Sequence, residues 1–487
     1  MRNTWIRFLF GAALLPVVGG CLSVPEPESS TIPWKPPAGA QKPDEVWAAV
    51  RARKPDLSRP LALADLADMA LENNPASRRA WNDARAAAEQ VRQARGYFLP
   101  TLIGTASLSR QRTDATPEGS DQDVTRNGAG IQVNYLVLSF GGGRRAAVEA
   151  ALQTVYASDF ALNQSIQDIL YAVEAAYYGL ISAQAGVAAA DASLKDAQTT
   201  LDVAQERMAA GLGTELDVLQ AQASVDQALY NLAGAQGLIN TARGRLAGAA
   251  GLPADTPLQT AEPTVEVPEA LAEPEMKRLI DDALRRRADI SSLRAALAAR
   301  EAAAKATGSG LWPSLYLNGS INRDYLRSSG DIKYPDNDWS YGGGLSLQWT
   351  LFDGLQTLSA ERAVRAQAES VRAQLQQAEL AASADVWIRY QNYDTALQRY
   401  RFSAALLKSA TASYDLALDS YKAGLKSILD LLNAESRLAQ ARSQHIAARQ
   451  DAFTALAGLA YATGLLEKGG SAQAQDRLRN PEKKENP

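Results

Sequence analysis

The chain has 487 residues, with 50 Lys and Arg against 54 Asp and Glu, one His and one Cys. A formal charge of −4 argues against a nucleic-acid partner, the single Cys excludes a disulfide framework or multi-Cys metal site, and the single His leaves no His-rich zinc or di-iron centre. There is no phosphate-binding Gly-rich loop ending in Lys-Ser/Thr, and no catalytic or cofactor motif stands out. The low aromatic content (7%) and abundant alanine favour long, closely packed helices.

Residues 1–20 have a basic start (Arg2, Arg7), an apolar run over 8–18, small residues at the end and no acid before Glu26. This is the three-part pattern of a secretory signal peptide. The apolar run is short of the ~20 residues a transmembrane helix needs. Val18-Gly19-Gly20-Cys21 resembles a bacterial lipobox, and the only cysteine of the chain sits in it. The resemblance implies acyl chains on Cys21, each buried methylene adding ~0.8 kcal/mol of membrane affinity. Leu22 follows rather than Asp, which by the bacterial sorting rule favours the outer membrane. Residues 21–60 then carry Pro25, Pro27, Pro33, Pro36, Pro37, Pro43, Pro55 and Pro60. That density predicts an extended, lipid-anchored strap rather than a helix.

The body is written twice. Pro100 matches Pro313 (313 − 100 = 213), and the Ala-Gly-Leu of 210–212 matches that of 423–425 at the same offset, as does 216–219 with 429–432. Repeats over 61–250 and 276–464 follow, with a Pro-, Glu- and Thr-rich linker at 251–275. Each half starts with one helix, 61–95 or 276–306, ended by the proline that follows. Two alternating runs come next, 101–112 with 128–138 and 314–326 with 340–351. Val133, Tyr135 and Val137 share one face, with Gln132 and Asn134 on the other. This period of two predicts hairpins over 101–138 and 314–351 with polar loops.

Gly141-Gly142-Gly143 and Asp353-Gly354 then open helices over 144–209 and 355–422, each ~100 Å long at 1.5 Å per residue. Return helices follow the glycine turns, over 214–249 and 427–464. Heptads mark the rods: Leu194, Leu201 and Met208 in one half, Leu407, Tyr414 and Tyr421 in the other, and Val225, Leu232, Ile239 and Leu246 on a return helix. Such spacing predicts coiled seams. His445 falls on one of these seams and reads as a packed or hydrogen-bonded residue rather than a ligand. The tail, 465–487, is polar and reads as disordered.

Four strands have two open edges, and in lipid every backbone polar group must be paired. The smallest closed membrane barrels have ~8 strands, so several chains must each donate four, and three would give twelve. The doubled repeat, the strand start Trp312-Pro313-Ser314-Leu315, the run over 345–354, and the turns over 206–221 and 421–434 resemble the TolC family of outer-membrane efflux ducts, in its lipoprotein branch.

The resemblance covers 61–464. It implies a mixed α and β membrane protein: a homotrimer whose 12-stranded transmembrane β-barrel, four strands per chain, is continuous with a long periplasmic α-helical barrel. It also implies a periplasmic adaptor and an inner-membrane pump, RND type favoured and ABC or MFS as options, with no cofactor beyond the lipid on Cys21 and no metal. The tip turns Gly211, Gly213 and Thr214, and Gly424 and Ser427, would contact the adaptor. Asp217, Tyr421, Lys426 and Asp430 match the family's periplasmic gate. Asn433 stands where some members have a second acid, so a weaker cation block is expected. Apart from the resemblance, Asp217 and Asp430 read as helix N-terminal carboxylates favoured by the macrodipole, worth ~0.3–1 kcal/mol.

Tyr135, Trp339, Tyr341 and Trp349 fit an interfacial aromatic girdle. The functional expectation is a passive exit duct for drugs, metals or other small molecules. The alternatives are the exit duct of a type I protein secretion system and, from another class, a trimeric coiled-coil stalk or adhesin.

Overall fold

The computed structural model describes residues 59–113, 122–261, 276–329 and 338–466, all within one unit that begins at Leu57. The expected signal peptide, Cys21, nearly all of the expected strap, residues 262–275, residues 114–121 and 330–337 between the strands, and the tail from 467 lie outside the described residues.

The first expected helix is two. Helix α1 spans Leu63–Asn73 and α2 spans Pro75–Gly96. Proline lacks the N–H for the helical ladder and pushes the residue before it into extended backbone. Asn74 accordingly sits at φ −67°, ψ 128°, and its side chain accepts from the Ala76 N–H at 2.9 Å, capping the new helix. The second half breaks at the equivalent place without a proline, into α5 (Met276–Arg286) and α6 (Ala288–Gly308). Here the break residue is Arg287, held by Asp289 at 2.9 Å and Asp385 at 3.0 Å and donating to the Ala462 carbonyl at 3.4 Å.

Strands β1 (Thr101–Thr113), β2 (Gln122–Ser139), β3 (Ser314–Ser329) and β4 (Asp338–Gln348) form one antiparallel sheet in the order β1-β2-β3-β4. β2 starts six residues before the expected 128, and β4 ends at Gln348 rather than 351. The central pair joins the two halves, running from Asp123↔Ser329 to Ser139↔Ser314 with a single register shift between Leu136 and Leu138. Among the described residues β1 and β4 each have one neighbour. Cross-strand partners share a face. One face carries Leu102, Val133, Leu317, Ile321, Leu345 and Leu347; the other carries Thr105, Gln132, Asn134, Asn318, Ser320 and Ser346.

The sheet leads into α3 (Gly143–Ala209) and α7 (Gln356–Lys422), each of 67 residues, and the return helices α4 (Glu215–Ala249) and α8 (Ile428–Ala462), each of 35. At Gly141 and Gly143 an added Cβ would meet Ser309 atoms at 2.8 and 1.9 Å, so this strand-to-helix corner accepts only glycine. The seams use alanine as the heptads predict: Ala197 and Ala204 are wholly buried, and Ala197 packs with Val225 and Ala228 beside Leu194 and Leu201. Tyr414 and Tyr421 pack with Leu431 and Leu438 between α7 and α8.

A broader core lies where α1, α3, α4 and α8 meet, around Leu66, Val173, Leu180, Leu246 and Phe453. The described part of the expected linker belongs to it. Leu252 and Leu258 are buried there, and Leu61 bridges Thr260. Leu465 and Leu466, at the start of the expected tail, pack against Ala67 and Leu170.

Candidate functional site

The ends of the rods are built by the same local chemistry in both halves. Gly211 (φ +74°) and Gly424 (φ +78°) take the left-handed conformation that closes a helix C-terminus. Leu212 N–H then bonds the Arg207 carbonyl at 2.8 Å, and Leu425 N–H bonds that of Ser420 at 2.8 Å. Each return helix opens with a capping box. Asp217 N–H donates to the Thr214 hydroxyl at 3.2 Å while Thr214 N–H donates to the Asp217 carboxylate at 3.0 Å. Asp430 and Ser427 repeat this, Asp430 N–H donating to the Ser427 hydroxyl at 3.2 Å and Ser427 N–H to the Asp430 carboxylate at 3.1 Å. Gly213 is packed against its own helix end, 3.1 Å from Met208 N for an added Cβ.

These boxes set the electrostatics of the tip. The hydrogen bonds from Ser427, side chain first and backbone second, hold the Asp430 carboxyl below its usual range, and the Lys426 charge adds to this. Asp430 and Asn433 are both exposed, three residues apart on α8. Tyr421 is buried at 2% exposure. Burial raises its hydroxyl pKa, and the charge of Asp217 raises it further.

The cation beside Tyr421 is Arg207 rather than Lys426. The Arg207 guanidinium lies 4.9 Å from the Tyr421 ring centre. Its Nη1 donates to the Tyr421 carbonyl at 2.7 Å and the Lys422 carbonyl at 3.2 Å, and its Nη2 donates to the Leu212 carbonyl at 3.2 Å. One side chain from α3 thus satisfies orphan carbonyls at the end of α7 and bonds the turn that follows its own helix. The sequence held one signal for it: at the offset of 213, Arg207 is answered by Ser420, so the two tips are not equivalent.

Further along the rods, a second polar cluster escaped sequence reasoning. Glu435 of α8 is only 7% exposed. It accepts from the Thr200 hydroxyl of α3 at 2.8 Å and from the Ser224 hydroxyl of α4. Burial raises its pKa, the two hydroxyls opposing the shift. Beside it, Arg442 pairs with Asp196 at 2.6 Å. Tyr414 OH donates to the Asp196 carbonyl at 3.2 Å, and burial pushes that phenol up to about 12. Glu435 and Ser224 border a groove of about 1320 Å³ between α4 and α8, floored by Gly179, Ala183, Gly186 and Ala190 of α3. His445 Nδ1 lies 3.1 Å from the Ser403 hydroxyl, and its ring stacks on Tyr400 at 5.3 Å.

Apolar side chains line exposed rod surface: Leu229, Tyr230 and Leu238 on α4, and Trp387, Ile388, Phe402 and Leu416 on α7. Trp339, Tyr341 and Trp349 are exposed at or just beyond the ends of β4, while Tyr135 is half-buried. Among the described residues, no helix is long and apolar enough to cross a membrane.

Comparison with known proteins agrees with this architecture. The family model described as outer membrane efflux protein matches residues 66–252 and 279–465, one copy in each half. Protein CyaE of Bordetella pertussis is 31% identical over 387 residues, covering 79% of this chain and 80% of its own. The pyoverdine export outer membrane protein OpmQ of Pseudomonas aeruginosa is 28% identical over 401 residues, covering 78% and 82%. Among solved structures, the outer-membrane channel OprN superposes with a TM-score of 0.72 at 22% identity, covering 85% of this chain and 95% of that one, a likeness of fold. With both halves matched and an open-edged sheet leading into paired rods, the chain belongs to the outer membrane efflux protein family and is an outer-membrane efflux channel.

Proposed function

We propose that three copies close into one duct, their twelve strands forming a transmembrane barrel and their rods a helical barrel in the periplasm. The observation that carries this is the four-stranded sheet with free β1 and β4 edges. Roughly half the backbone polar groups of the 13-residue β1 and 11-residue β4 point away from their single neighbours. At several kcal/mol for each unpaired group in hydrocarbon, an open sheet would carry a cost of tens of kcal/mol. Pairing β4 of one copy with β1 of the next removes that cost and puts the Asn- and Ser-rich face around a polar lumen. Large exposed apolar side chains on α4 and α7 would be covered by neighbouring copies in the same closure along the rods.

In this reading acyl chains on Cys21 anchor the strap in the outer membrane, and a periplasmic adaptor meets the tip turns at Gly211, Gly213, Thr214, Gly424 and Ser427. An inner-membrane pump, RND type favoured, supplies energy. The gate lies at Asp217, Tyr421, Lys426, Asp430 and Asn433, with Arg207 fastening the two tips of each copy. Asp430 and Asn433 would each recur three times around the axis, so the acid gives the mouth a cation preference. The test is detergent-purified full chain imaged by electron microscopy and reconstituted in planar bilayers. A hollow three-copy cylinder passing stepwise ion currents is expected. A monomer or solid rod that leaves bilayers ion-tight overturns the reading.

A further inference from the structure

The apolar face of the sheet ends in arginine. Going away from the helices, β3 presents Leu315, Leu317 and Ile321 on this face and then Arg323. On β1, Leu102 and Leu108 are followed by Arg110. The register is unambiguous about the face: Arg323 pairs with Ala129 and Trp339, one step beyond the Ile131, Ile321 and Tyr341 row.

Spacing puts Arg323 at the margin of the hydrocarbon. The eight steps from Leu315 to Arg323 rise ~27 Å at ~3.4 Å each. Strands tilted by ~40° convert that to ~20 Å of height, close to the ~25 Å apolar band of an outer-membrane barrel. Arginine on a lipid-facing position is costly at mid-membrane and nearly free at its edge, so the headgroup layer is where this residue is tolerated. Its guanidinium lies 5.3 Å from the Tyr325 ring and 5.3 Å from the Trp339 ring. Arginine recognises phosphate with two parallel N–H donors while its faces pack on aromatic rings. No lysine occurs in the four strands, so the basic residues here are all of the forked type. In a twelve-strand closure, β1 and β3 of each copy would put arginine on every second strand, with Arg110, opposite Thr125 and level with Arg327, four residues farther from the helices than Arg323, which is level with Ala106.

We propose that this rim binds phosphorylated lipid headgroups of the outer leaflet, with Arg323 between Tyr325 and Trp339 as the main contact and Arg110 as a second. The ligand is a membrane lipid bearing phosphate monoesters, not free phosphate: the arginines border a face that only lipid tails would cover. The inference rests on the barrel reading above. Native mass spectrometry of the full-length protein, in nanodiscs of phosphatidylethanolamine doped with a diphosphorylated disaccharide glycolipid or its dephosphorylated form, tests it. Wild type is expected to retain the phosphorylated lipid on the order of tenfold better. Arg323→Gln should remove most of that preference and Arg110→Gln part of it, the second variant serving if the first fails to assemble.

Absence of a preference in wild type, an unchanged preference in both variants, or full displacement by millimolar inorganic phosphate overturns the proposal. Copy number and bilayer current, measured on the same samples, separate the two readings. A non-conducting monomer defeats the barrel, whereas a conducting trimer indifferent to lipid phosphate defeats only the lipid site.

Discussion

Replacing Arg207 by alanine removes a side chain that crosses from the end of α3 to the end of α7 at the tip. Two hydrogen bonds go with it, at 2.7 Å to the Tyr421 carbonyl and 3.2 Å to the Lys422 carbonyl, together with the stacking at 4.9 Å on the Tyr421 ring. Hydrogen bonds from a charged donor contribute about 1.5–3 kcal/mol each when buried. Arg207 is half-buried, so ~1 kcal/mol each is the better figure, and stacking adds ~0.5–1 kcal/mol. The sum is ~3 kcal/mol per copy. At a factor of ten per 1.4 kcal/mol, each tip should open on the order of a hundred times more often.

Planar-bilayer recordings of the purified protein read this directly as a higher open probability and a larger resting current. A double-mutant cycle with Tyr421→Leu separates the stacking contribution, because the carbonyl bonds survive that change. Arg207→Lys keeps the charge but cannot reach two carbonyls while lying flat on a ring, and should recover only part of the closure. If Arg207→Ala lowers the melting temperature yet leaves open probability and current at wild-type values, Arg207 holds the tip together without gating it and the reasoning fails.

Glu435 makes a pH prediction. Burial raises its folded-state pKa above the ordinary 4.5, so the stability it contributes is complete below that value and is lost as pH rises through the raised one. Glu435→Gln should therefore melt at a higher temperature than wild type at pH 8 and match it at pH 4; thermal scans giving parallel curves across that range contradict the assignment. At the other end of the chain, cells fed an alkyne-tagged fatty acid should label the wild-type protein and not Cys21→Ser. Equal labelling of the two would remove the lipid anchor from the proposal.

Some features were legible because neighbours along the chain produce them. The long helices stand out since 144–209 and 355–422 lack breakers and carry heptads. The tip turns stand out since glycine ends a helix where left-handed backbone is needed, and a Thr or Ser three residues before Asp begins the next. The break at Asn74 was equally local, written in Pro75, and a strict application of the proline rule finds it. Its counterpart at Arg287 carries no such mark. The extended backbone there goes with bonds to Asp289, to Asp385 on α7 and to the last turn of α8.

Sequence by itself determined the order of the strands and long helices, the duplication, and which residues turn the tips or line a seam. Each of these follows from periodicities and backbone preferences that act over a few residues. Tertiary structure alone decided that β2 pairs with β3 across the two halves, that Arg207 rather than Lys426 meets Tyr421, and that Glu435 is shared by α3, α4 and α8. These partners lie about two hundred residues apart in the chain, and whether such groups touch depends on how long helices pack and how far a side chain reaches, which no local pattern encodes.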